Sequence, residues 1–116
     1  MSDFHAEVRR LDDVTVIAIA GDLDGDAGEP LRGAYQEATA TDPDAVIIDF
    51  DELGFMNSSG IAHVVSLLGS ARQADIDIRA CGLSDHYRHV FEITRLADFM
   101  TIYDSEEAAA SSPVGG

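Results

Sequence analysis

The chain has 116 residues, 46% of them hydrophobic and 25% charged, which suits one globular domain with a buried core and excludes a disordered polymer. No apolar run reaches the ~18 to 20 residues that cross a bilayer, and the acidic N-terminus lacks the basic start of a secretory signal, so a cytoplasmic protein is expected. Twenty-two acidic residues against seven basic ones, all arginine, give a formal net charge of −15, which disfavours nucleic acid and anionic membranes as partners and favours basic protein surfaces.

The elements follow in chain order. Phe4 to Leu11 has the composition of a first strand, and Asp12-Asp13 is a turn before a second strand, Val14 to Leu23, which mixes β-branched residues with alanines. Ala27, Leu31, Ala34, Tyr35 and Ala38 then recur on one face of a helix that tolerates Pro30 near its start and ends by Asp42-Pro43. Ala45 to Phe50 is nearly continuous apolar sequence, as expected for a central strand covered by helices on both faces. Ile61, Val64, Val65, Leu68 and Ala71 predict an amphipathic helix over Ser59 to Ala74. Ile76 to Cys81 alternates as a strand. Ser84 is an N-cap for a third helix bearing Tyr87, Val90, Phe91 and Thr94 on one face, and "MTIYD" is a short last strand.

The order β-β-α-β-α-β-α-β implies an α/β fold: a mostly parallel mixed sheet of about five strands with right-handed crossovers, an antiparallel N-terminal strand, and three or four helices. The domain is expected over residues 4–104. From Ser105 onward the small, polar, Pro- and Gly-bearing tail predicts disorder.

The chemistry concentrates in "GFMNSSGIAHVV", Gly54 to Val65. A Ser-dependent hydrolase needs glycine two residues before its nucleophile, where the strained strand-to-helix turn leaves no room for a side chain. Met56 stands there before Ser58 and Asn57 before Ser59. His63, one turn beyond Ser59, has no third group to orient it as a base. A second reading makes Asn57 or Ser58 a helix N-cap worth ~1 kcal/mol. It leaves unexplained why two hydroxyls precede Gly60 in a first turn where glycine costs up to ~1 kcal/mol, and a bare backbone there suits close approach by another surface. A third reading makes Ser58 a phosphorylation switch. The N-terminus of a helix tolerates the new dianion, whereas a partner packed over it does not.

Three further features carry less chemistry. His86 and His89 lie three apart on the third helix without other ligands and read as a solvated face rather than a metal site. Asp22 and Asp24 follow the second strand at the edge where the Ser58 loop begins, which suits either a place on the partner surface or simple solvation of the loop. Cys81, the only cysteine, permits no internal disulfide and no cysteine metal cage, and is expected to be buried and inert. No cofactor is called for.

The run "VIIDF", then "FMNSSG", a helix, "IRACGLS" and "VFEITRLADFMTIY", in that order and spacing, resembles the STAS domain of bacterial anti-sigma factor antagonists over about Phe4 to Asp104. The resemblance implies a non-enzymatic binding module. Unphosphorylated, it would bind an anti-sigma factor with a kinase-like ATP-binding fold and displace the sigma factor. The same kinase would inactivate it on one serine, and a phosphatase would restore it. The family's Asp-Ser-Ser/Thr-Gly pattern maps onto Asn57, Ser58, Ser59 and Gly60, making Ser58 the phosphosite. Met56, Asn57, Ser59, Gly60 and His63 would join Asp22 and Asp24 at the partner surface. Asn57 departs from the usual Asp: it still caps the helix but removes one negative charge beside the acceptor. That departure leaves a second reading, a STAS regulatory module that binds another signalling protein, with or without phosphorylation.

Overall fold

A computed structural model describes residues 4–111. Five strands form one mixed sheet in the order of the chain: β1 (His5–Leu11), β2 (Val14–Leu23), β3 (Ala45–Met56), β4 (Asp77–Cys81) and β5 (Thr101–Tyr103). β1 runs antiparallel to β2 through the two-residue Asp12-Asp13 turn, and the other neighbouring pairs are parallel. Asp12 sits in the left-handed region (φ 54°), a conformation that Asp tolerates better than most side chains.

Four helices cover this sheet: α1 (Gly28–Thr39), α2 (Ser58–Gln73), α3 (Asp85–Ile93) and α4 (Glu106–Ser111). Because spatial order equals chain order, every right-handed crossover steps in the same direction, which places α1, α2 and α3 on the same face. The main core records this. Leu31 and Ala38 of α1, Val64 and Leu68 of α2, and Phe91 of α3 pack on Ile17, Val46, Ile48 and Ile78. Phe91 meets Phe50 edge-on at 5.6 Å.

The three crossover helices cover one face of β3 and α4 covers the other, so the strand lies between helices on both faces, as its apolar run suggests. The opposite face carries Val14, Val16, Ala45, Ile47 and Cys81, and the side chain that closes over them is Ala109 of α4. The expected disorder from Ser105 is corrected accordingly: residues 106–111 form a helix, while the rest of the tail lies outside the described residues. Tertiary contacts specify that helix. Buried Arg79 donates from Nη1 to the Ala109 carbonyl at 2.5 Å and from Nε to Asp77 at 3.1 Å. Arg9 of β1 grips Glu106 with both terminal nitrogens, at 2.6 and 3.3 Å. This pairing holds the Glu106 carboxyl below its usual range, while burial pushes Asp49 above its own.

Candidate functional site

β3 is twice the length its apolar half suggests and runs on to Met56. Its extension pairs with the end of β2, Asp22 opposite Phe55 and Leu23 opposite Met56. Alternation along a strand then puts Phe55 outward, 49% exposed, and Met56 into the core. The Met56 N–H donates to the Tyr87 hydroxyl at 2.9 Å, so α3 fixes the backbone one step before the helix begins. Phe55 is thus an exposed apolar side chain one step from the serine pair, whereas Met56 belongs to the core.

Asn57 is the N-cap of α2. Its backbone is extended, and its side-chain oxygen accepts from Gly60 N at 3.0 Å. Ser58 and Ser59 are the first two helical residues, and both are exposed. Neither hydroxyl is needed as a cap. Gly60 is buried: a Cβ there would overlap the carbonyl oxygen of Leu23. The close approach foreseen at Gly60 comes from the chain itself, so Gly60 seats α2 against β2 and offers no side-chain surface to a partner. Asn57 N–H also donates to Leu23 O at 3.3 Å, completing that junction.

The loop after β2 is drawn to the same place. Asp24 caps a 3₁₀ turn, Gly25–Ala27, by accepting from Asp26 N at 3.0 Å. His63, half-buried one turn into α2, donates from Nε2 to the Gly25 carbonyl at 3.2 Å. The ring lies flat against Gly28, where a Cβ would come within 2.6 Å of it. His63 thus ties the acidic loop to α2. Asp22, Asp24 and Asp26 stand beside the exposed serines. An acidic rim, an exposed phenyl ring and two free hydroxyls at a helix start suit a basic protein surface that cannot accept a further anion.

The expected site residues are therefore sorted by the fold. Asp22, Asp24, Ser58, Ser59 and Asn57 come together; His63 joins them as a tether; Met56 and Gly60 lie underneath. Phe55 falls within the Gly54 to Ser59 segment singled out by the sequence, and its outward direction follows from extending the strand alternation past Asp51, whereas Tyr87 and Leu23 carry no sequence signal for this site. His86 and His89 are both exposed, and among the described residues no group of three His, Cys, Asp or Glu side chains is placed to hold a metal. Cys81 is buried as expected, its thiol pushed up to about 12 by burial and by the neighbouring Asp49. No described helix is long and apolar enough to cross a membrane.

The family model described as the STAS domain matches residues 5–109, a span that takes in most of α4. The anti-sigma-B factor antagonist of Listeria monocytogenes is 30% identical over 90 residues, covering 78% of this chain and 79% of its own. An anti-sigma factor antagonist from Mycobacterium paratuberculosis superposes with a TM-score of 0.78 at 18% identity over 94% of this chain and 92% of its own. The Bacillus cell fate determinant SpoIIAA, solved in a phosphorylated form, superposes with a TM-score of 0.67 at 27% identity over 92% of this chain and 96% of its own. With its sheet order, its capped serine pair and these relatives in agreement, the chain belongs to the STAS-domain family of anti-sigma factor antagonists.

Proposed function

We propose that the protein binds a cytoplasmic anti-sigma factor kinase through the Ser58 surface when unmodified, and is released from it by phosphorylation of Ser58. The observation that carries this reading is the division of labour at the start of α2. Asn57 supplies the cap, which leaves the Ser58 hydroxyl exposed, chemically idle and beside Asp22, Asp24 and Phe55. A phosphoryl group there is tolerated by the free N–H groups and macrodipole of the helix. The partner would have to desolvate that dianion against an already acidic rim. The protein acts as a binding module and kinase substrate, with no catalysis of its own, and a phosphatase resets it. A relative known in a phosphorylated form supports the assignment.

Asn57 favours one second reading, a module that binds its signalling partner without phosphorylation, because the usual aspartate beside the acceptor is missing. The two readings separate on incubation with the cognate kinase and ATP followed by peptide mass spectrometry. The switch predicts a phosphate on Ser58, absent in Ser58→Ala, and a faster reaction in Asn57→Asp. A kinase that binds the protein and transfers nothing to it would establish the second reading.

A further inference from the structure

α2 contains no Asp or Glu in its 16 residues, although the chain has 22 acidic residues. Its outer face also carries Val65, half exposed, and Val65 is one wall of an open groove whose other wall is the segment after α3. Leu68 and Leu96 form the floor of this groove, and Phe99, 52% exposed, overhangs it. The turn that presents Phe99 is firmly built. Arg95 adopts the left-handed region (φ 68°), Thr94 Oγ1 donates to Val90 O at 2.7 Å, and Leu96 is buried so that Phe99 points out. Half-exposed valine and phenylalanine facing each other across an apolar floor are the features of a protein-binding anchor site.

The groove continues past the Arg72 guanidinium, which lies 5.4 Å from the Phe99 ring centre, into a hollow of about 350 Å³. Three carboxylates line that end, Asp75, Asp77 and Asp98, against the single cation Arg72. Asp77 and Asp98 are paired with Arg79 and Arg95, the second pair on the surface and therefore weak; Asp75 is exposed. One end is thus apolar and acid-free; at the other, Asp77 and Asp98 already hold arginines, and exposed Asp75 is the carboxylate left to meet a cation in a strongly negative molecule. A second copy of this chain, with the same negative charge, is a poor occupant.

We infer that this groove is a second docking site, independent of Ser58, for a protein segment carrying a bulky apolar anchor followed by Lys or Arg. The anchor packs between Val65 and Phe99, and the basic side chain reaches the Asp75 end. Val65 lies seven residues beyond Ser58, ~10 Å along the helix, and Arg72 fourteen, ~21 Å, so the groove starts two turns from that serine and runs away from it. The inference does not depend on the switch reading.

The test is an NMR titration of the full-length protein with an amphipathic leucine-lysine peptide, using a leucine-glutamate peptide of the same length as control. Shifts confined to amides of 65–75 and 94–99 are expected for the first peptide and none for the second. Phe99→Ser and Val65→Ser, both at exposed positions, should each weaken binding at least tenfold, and Asp75→Asn about threefold. Ser58→Glu should leave it unchanged. Shifts spread over the whole acidic surface, or equal affinity in Phe99→Ser and Val65→Ser, would overturn the site. Concentration-dependent dimerisation abolished by Phe99→Ser would replace the proposed occupant by a second copy.

Discussion

Gly60 shows how one missing Cβ shapes the whole site. With any side chain there, α2 would have to move off the Leu23 carbonyl, and Asn57 would lose the Gly60 N–H that it caps. Gly60→Ala is expected to lower stability by ~2 to 4 kcal/mol, read as a shift of the urea midpoint, although alanine is the better helix former. A gain in stability would mean that the helix start can slide freely. Cys81 provides a test at the same scale. Its folded-state pKa of about 12 lies above the ordinary 9.0, so between those values the folded protein keeps a proton that the unfolded chain has lost. Stability should therefore fall as pH rises through that window, by about 2 kcal/mol near pH 10.5. Subtracting the same series measured on Cys81→Ala isolates the effect, and identical pH profiles would refute it.

At the scale of elements, the sequence alone placed neither α4 nor the second half of β3. The three crossover helices were legible because each repeats apolar residues at helical spacing, and the strands because their β-branched runs end at Asp, Gly or Pro. Residues 106–111 have no such stripe. Only Ala109 of that short run is buried, and its partners Arg79, Val16 and Ile47 lie 30 residues or more away in sequence. A six-residue helix does not hold on propensity, so its order is tertiary. Ending the chain at Asp104 should leave Arg79 without the Ala109 carbonyl and wet the Val16 and Ile47 face, costing ~2 to 4 kcal/mol by chemical denaturation. Unchanged stability would show α4 to be ornamental. The candidate site was legible in part for a related reason. Caps and hydroxyls are local signals, whereas the outward Phe55, the Tyr87 anchor and the Leu23 carbonyl depend on register between distant strands and helices.

Across the whole molecule, the net charge of −15 acts on both stability and association. Self-repulsion among these carboxylates should be relieved by salt, so the thermal midpoint is expected to rise by at least ~5 °C between about 0.05 and 1 M KCl. A midpoint that falls over that range would contradict it. The same field favours a basic partner, and on the proposed switch one added dianion at Ser58 would be decisive, because the added charge would meet an acidic rim and a desolvating surface together. The most direct measurement is calorimetric titration of the cognate anti-sigma factor with unmodified, Ser58-phosphorylated and Ser58→Ala protein, each shown folded by NMR. A loss of at least a hundredfold in affinity for the phosphorylated form alone is predicted; equal affinity for all three forms would contradict the account.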